Sequence, residues 1–416
     1  MNKNTYDIII VGSGISGLYS AYTIMKYSPT TSFIILEKYK KKWIGGRWGN
    51  EDFHGTTIVT GAGIGRKKKD KLLLNLMKEL HIPIHERKSE VHYAISNLID
   101  IMKIMNYLRS EYNKYERKPR MTFEHFANLH LDKEIYKKFL ETAGYTDYEK
   151  EDVYDVLYNY GMEDNVGNYI SINVPWKEMV DKLVDKIGAD KVKTSSNVIK
   201  IEKVRREPCM FQVKVENGSN YFCNRVIIAT TIDGIMKLVP NANASGSPYK
   251  EIHGQTFLRL YGKFSKKSIP ILKQFIPGYT VVAGPLQKII PMDADKGIYM
   301  IAYSDNKNAV YLKKYLENTE KNKEFFCLLL EKSLGIPKNS LQLLDIKDYY
   351  WPIGTHYYSP LSSSFKNRNE FIKVVQHPEK GMLVVGEVVS DDQGWSEGAL
   401  RSVEKVLNKK WIKDNC

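Results

Sequence analysis

An α/β fold built on a parallel sheet is predicted by three features at the start of the chain. Residues 6–11 (YDIIIV) form an apolar run of strand length, the turn Gly12-Ser13-Gly14-Ile15-Ser16-Gly17 follows, and residues 18–26 carry helical apolar spacing. A second strand, 32–36, ends at Glu37. Strand, glycine turn, helix, strand and closing acid, in that order, form a Rossmann-like dinucleotide-binding pattern.

Each residue type in the pattern has a physical reason. Gly12 permits the tight turn, Gly14 lets the backbone approach a pyrophosphate, and Gly17 packs helix on strand, while the helix N-terminus offers N–H groups and positive dipole. Glu37 stands 20 residues past Gly17, where a carboxylate reaches ribose hydroxyls. An acid there, rather than an arginine, predicts FAD or NAD over NADP. Ser13, Ser16 and Lys38 complete this first group of cofactor contacts.

Past Glu37 come Gly45-Gly46-Arg47-Trp48 and then a hairpin-like stretch ending in Gly61-Ala62-Gly63-Ile64-Gly65. A guanidinium at Arg47 can neutralise a pyrophosphate that one helix dipole leaves partly uncompensated, and small residues at 61–63 let backbone lie against a flat ring. A plain glycine-rich loop has the same composition. Near the other end, a helix opening at Trp395-Ser396-Glu397-Gly398 aims free N–H groups at the negative edge of a reduced flavin, with Gly386 and Glu387 ending a strand beside it.

With 416 residues, the chain is long enough for two or three domains and a core without disulfide or metal staples. Its 43% apolar and 26% charged residues exclude disorder as the main state. The four cysteines (Cys209, Cys223, Cys327, Cys416) lack the spacing of a disulfide framework or a zinc site, so no metal is expected and a reducing compartment is. Net charge is +14, which favours anionic partners. The basic runs 40–42, 66–69 and 117–120 are short and free of interleaved aromatics, which reads as solvated faces rather than a nucleic-acid groove. No run reaches the roughly 18 apolar residues of a membrane helix, and no signal pattern opens the chain, so a soluble cytoplasmic protein is expected. Abundant Lys, Asn, Ile and Tyr point to an AT-rich genome of the kind protists and large DNA viruses carry.

GSGISG, Glu37, GGRW and GAGIG together resemble the N-terminal quarter of the flavin-containing amine oxidases, the monoamine and polyamine oxidases and their desaturase relatives. The C-terminal GMLVVGE and GWSEGALRS are similar to the family's last strand, Gly-Glu and closing helix. Asn197-Val198-Ile199-Lys200-Ile201 resembles its adenine-side strand, and Arg225-Val226-Ile227-Ile228-Ala229-Thr230 a recurring sheet strand. The resemblance implies a discontinuous FAD-binding domain from residues 1–75, 171–235 and 348–416. It implies an α+β substrate domain of the amine-oxidase type, with a helical cap, from 76–170 and 236–347. In the stretches between the cofactor segments, helical periodicity is read at 72–80 and 95–105, a further helical stretch starts at 121–126, helices are read at 312–321 and 323–334, and strands at 257–264 and 297–303.

The family places two aromatic rings around the substrate nitrogen, which implies Trp395 for one and Tyr357, with Tyr358 in reserve, for the other. Both belong to conspicuous blocks, the second being Trp351-Pro352-Ile353-Gly354-Thr355-His356-Tyr357-Tyr358. Some members tether flavin through a cysteine in this block, and none stands here, which implies non-covalent FAD; His356 is a candidate contact to substrate or flavin. The strand 257–264 resembles the one carrying the family's lysine beside flavin N5, but Arg259 holds that place, with Lys263 the other possibility. The implied activity passes hydride from a carbon next to nitrogen to the flavin, with dioxygen giving hydrogen peroxide. An amino-acid oxidase, a desaturase-like enzyme, a non-redox flavin mutase or a flavin-binding interaction protein remain alternatives. Net charge and Arg259 rank polyamines low and substrates with an anionic group higher.

Overall fold

The computed structural model describes residues 4–167, 169–204 and 211–413, so Cys209 and Cys416 lie outside the described residues. Strand Thr5–Val11 is the middle of a seven-stranded sheet. It runs parallel to Phe33–Leu36 on one side and to Asn220–Ile228 on the other. Met382–Val384 joins Asn220–Ile228 in parallel, Val192–Lys193 extends the opposite edge, and Val198–Lys203 and Phe211–Val215 add an antiparallel flap.

The alternation of a strand explains why four apolar residues in a row are all buried. Ile8 and Ile10 face a layer containing helices Ile15–Tyr27, Trp176–Ile187 and Ser396–Val406, while Ile9 and Val11 face helices Ile232–Leu238 and Arg368–Gln376. Both sides of the sheet are therefore covered, which is why the parallel strands read as continuous apolar runs.

A second sheet of six strands runs in the order Leu343–Tyr358, Ile252–Phe264, Ile298–Asp305, Lys288–Asp293, Tyr279–Val282 and Val91–Ala94. Helices Asn306–Lys313 and Glu320–Leu334 pack on it. Helices Ile101–Lys114, Phe123–His130, Lys133–Ala143 and Val153–Tyr158 enclose a separate core around Met105, Phe123, Phe126 and Phe139.

Two helical expectations fail in instructive ways. The helix read at 95–105 begins only at Ile101, because the Asp100 carboxylate accepts from Lys103 N and caps it, leaving Leu98 47% exposed. Just upstream, Val91–Ala94 is a strand, fixed by parallel pairing with Tyr279–Val282, a partner far away in sequence. The helix read at 312–321 is instead the C-terminal end of Asn306–Lys313, and Thr319 caps the next helix by accepting from Asn322 N.

Candidate functional site

The glycine turn and the GGRW segment meet directly. Gly45 N donates to Ser13 O at 2.9 Å, and Gly14 and Gly45 form a parallel bridge. A Cβ on Gly17 would sit 2.0 Å from Gly12 O, so only glycine lets the helix close on the strand. A Cβ on Gly14, by contrast, would meet nothing within 4 Å. No side chain caps this helix and no acid lies in its first turn, so its leading N–H groups and its dipole are free for an anion. Glu37 is 6% exposed; Oε2 accepts from Ser13 N and Ser13 Oγ at 2.8 and 2.7 Å, and Oε1 from Tyr39 N at 2.8 Å. A carboxylate has about four acceptor positions, so one remains for a hydroxyl. Val198 is buried in the antiparallel flap, and Lys38 is exposed with its ammonium over the Tyr39 ring.

The opposite end of this region is built by the last helix, Ser396–Val406, with Trp395 as its N-cap residue and no side-chain cap. Ser16 Oγ donates to Ala399 O at 3.5 Å, which sets the two helix N-termini beside each other. Trp48 Nε1 donates to Ser396 Oγ at 2.7 Å, and Gly386 N donates to Ser402 Oγ at 2.8 Å. Glu397 turns away and accepts from Leu72 N and Leu73 N at 2.9 and 3.0 Å, so the acid does not block its own helix's dipole. An open glycine, two uncapped helix N-termini and a buried carboxylate with acceptor capacity to spare fit an adenine dinucleotide.

Between these ends lies a charged triad. Glu387 Oε1 accepts from Arg47 Nη1 and from His356 Nδ1, both at 2.7 Å, and Arg47 Nη1 also donates to Gly354 O at 2.6 Å. Ile232 N donates to His356 Nε2 at 3.2 Å, which makes Nε2 the acceptor and leaves the proton on Nδ1. Burial would raise the Glu387 carboxyl, but the His356 N–H and the Arg47 guanidinium outweigh it, and the carboxyl is held down at about 2. Trp351 Nε1 donates to Thr60 O at 2.7 Å and braces the stretch that leads to Gly61, Ala62, Gly63 and Ile64. A Cβ on Gly46, at φ 61°, would sit 3.4 Å from Gly14 Cα.

Arg259 is 6% exposed and donates from Nε to Gly61 O at 2.7 Å, with its guanidinium 4.1 Å from the Tyr303 ring centroid. Among the described residues no carboxylate pairs with it, and its charge sits beside Gly63. Lys263 is not its substitute, since its ammonium reaches Lys296 O on an exposed edge. The two candidate rings have separate partners: Tyr357 stacks on His253 at 5.1 Å, and Trp395 lies under the Arg66 guanidinium at 3.7 Å. Tyr358 is buried and donates to Ser390 O.

Arg66 departs from the reading of 66–69 as a solvated run, while Lys67 and Lys68 are exposed as that reading expects. It is 3% exposed and bonds Asp70 at 2.6 Å, Asp164 at 3.0 Å and Asp392 at 3.3 Å, because Gly65 and Arg66 pair with Ile172 and Ser171 and carry the side chain inward. Its i,i+4 relation to Asp70 is the one signal the sequence offered.

The second surprise is local charge. A cavity of about 30 Å³ opens beside Thr355, His356 and Gly394, walled by Asp147, Glu151, Asp155 and Asp391 together with Gln255, Gln393 and Arg368. Burial raises the Asp147, Asp155 and Glu151 carboxyls, and in each case a neighbouring carboxylate adds to the effect. The net charge of +14 thus coexists with a pocket rich in buried carboxyl groups, which Arg368 faces.

No family model matches the sequence, and no curated protein matches it. Solved structures do. A putrescine oxidase double mutant from a redesign of cofactor binding is 14% identical, with a TM-score of 0.76 over 98% of this chain and 99% of that one. Wild-type putrescine oxidase bound to putrescine is 14% identical, with a TM-score of 0.75 over 96% and 98% of the two chains. The chain has the amine-oxidase fold of putrescine oxidase. That fold extends over nearly the whole length of both chains, so neither the helical layer nor the second sheet is an unrelated addition to it. Among the described residues no helix is long and apolar enough to cross a membrane.

Proposed function

We propose that this protein is an FAD-dependent oxidoreductase that oxidises an amine at the carbon next to nitrogen. The observation that carries the reading is the meeting of the open Gly14 turn, the uncapped Trp395 helix and the Arg47–Glu387–His356 triad, all within a fold shared with putrescine oxidase. Gly12, Gly14, Gly17, Ser13 and Ser16 hold the pyrophosphate and Glu37 the adenosine ribose. Arg47 adds positive charge along the same path, and Glu387 keeps it there. FAD held there would supply a two-electron acceptor for the substrate hydride, with dioxygen as the final acceptor giving hydrogen peroxide.

The remaining residues orient and exclude water. Gly61 to Ile64 offer backbone without bulk, Arg259 adds a fixed positive charge behind them, and Trp395, held flat by Arg66, forms one wall. Tyr357, half-buried and stacked on His253, follows on the same strand as Trp351. Segments 1–75, 171–235 and 348–416 form the cofactor side, and 76–170 with 236–347 the substrate side and its helical cap. FAD is held without a covalent bond, since neither described cysteine, Cys223 or Cys327, belongs to the 351–358 block.

The visible spectrum of the purified protein tests the cofactor, and acid precipitation should leave the yellow colour in the supernatant. Anaerobic addition of amines should bleach it. Colourless protein that takes up no added FAD overturns the reading, and flavin kept in the pellet overturns its non-covalent part.

A further inference from the structure

Arg259 is a buried cation with no anion to meet it. It is 6% exposed, and among the described residues no carboxylate forms an ion pair with it. The groups that act on its charge are the hydroxyls of Tyr303, Tyr261, Tyr145 and Tyr279, and burial holds those of Tyr145, Tyr261 and Tyr279 protonated. The carboxylates of the same region are engaged elsewhere. Asp305 accepts from Thr146 and Gln287, Asp147 accepts from Tyr160, and both act on Lys288.

The guanidinium is also fixed in place. Its Nε donates to Gly61 O at 2.7 Å, Nη1 rests on Met300 Sδ at 3.6 Å, and a Cβ on Gly63 would sit 3.1 Å from Nη2. On the same strip, Gly63 O accepts from Trp176 Nε1 at 3.3 Å; Trp176 packs on Trp48 at 4.6 Å, and Trp48 holds Ser396 at the uncapped start of the last helix. The carbonyl oxygens of Gly61 and Gly63 are therefore both occupied by donors. A guanidinium and a helix N-terminus, two positive features, are tied to one short run of backbone.

An unmatched buried charge is costly, and the cost is offset only when negative charge arrives beside it. The pyrophosphate is met by the glycine turn and Arg47, so it is not the missing anion. A flavin lying against Gly61 to Ile64 is neutral at rest and gains negative charge as it takes up electrons. We propose that Arg259 raises the electron affinity of that ring, its charge being matched only in the reduced protein. A guanidinium stays charged at every working pH, and it acts through a low-dielectric interior without touching the ring. This rests on the cofactor part of the functional reading.

The test loads wild type and Arg259→Gln with FAD and measures the midpoint potential and the binding of sulfite. Sulfite gives its electron pair to the flavin ring, one S–N bond forms and the ring takes up the negative charge, so bleaching reads electron affinity with no amine present. Glutamine keeps a donor for Gly61 O and removes the charge. In the variant the midpoint potential should fall and the sulfite dissociation constant should rise on the order of tenfold or more. A variant with ordinary FAD content, potential and sulfite affinity overturns the proposal. So does an unchanged potential with kcat/KM for γ-aminobutyrate lowered against butylamine, which would assign the charge to a substrate carboxylate. Should Arg259→Gln not fold, wild type decides alone: a potential above that of free FAD keeps the proposal, and one at or below it overturns it. A protein that binds FAD and oxidises no amine loses the oxidase reading while potential and sulfite still decide this one, and a protein that takes up no FAD overturns both.

Discussion

Glu387 shows how much one buried side chain can carry. It is 6% exposed, sits between Arg47 and His356, and its carboxyl is held at about 2 against an ordinary 4.5. Because the folded value is the lower one, its contribution is complete above about pH 4.5 and is lost as pH falls towards 2. Glu387→Gln should therefore lower stability at neutral pH by about 3 kcal/mol and flatten the acid limb of the unfolding profile. Urea titrations at pH 7 and pH 3 check both, and an equal loss at the two pH values would reject the linkage. The triad was only half legible in sequence. GGRW and GE stood out as motifs, but Arg47 and Glu387 are 340 residues apart and nothing local announced that they bond each other. Arg66 was hidden for the same reason, two of its three carboxylates lying about 100 and 330 residues away.

At the scale of elements, the strand–turn–helix unit was the most legible part of the chain, because its rules are local: a buried strand, a glycine where no Cβ fits, a helix left uncapped. Those rules make opposite predictions for neighbouring glycines. Gly17→Ala puts a methyl group 2.0 Å from Gly12 O and should destabilise the apoprotein, whereas Gly14→Ala meets no protein atom and should leave its melting temperature nearly unchanged. Both should lose FAD, Gly14→Ala through crowding of the pyrophosphate alone. Flavin content and apoprotein melting, measured side by side, decide it; normal FAD retention in Gly14→Ala would mean that the dinucleotide lies elsewhere. The second sheet was less legible. The strand Val91–Ala94 depends on Tyr279–Val282, and its residues are only half-buried, so periodicity carried little signal.

For the whole molecule, the net charge of +14 has a kinetic consequence for a cationic amine. At low salt the long-range field repels such a molecule before it reaches the site. Shortening the Debye length from about 30 Å at 0.01 M to about 8 Å at 0.15 M should raise kcat/KM for a protonated monoamine such as butylamine. Stopped-flow flavin reduction across that range checks it, and a fall with added salt would mean that local carboxylates outweigh the net charge at a distance. The sheet order also sets a timetable for synthesis. Thr5–Val11 leaves the ribosome well before the strands that close the sheet it centres, Asn220–Ile228 and then Met382–Val384. At about 5–20 residues per second, the first strand waits roughly 20–75 s before the last one emerges. During that interval Asn220–Ile228 presents an apolar edge that only Met382–Val384 will pair, a surface open to other strands until the C-terminal segment arrives.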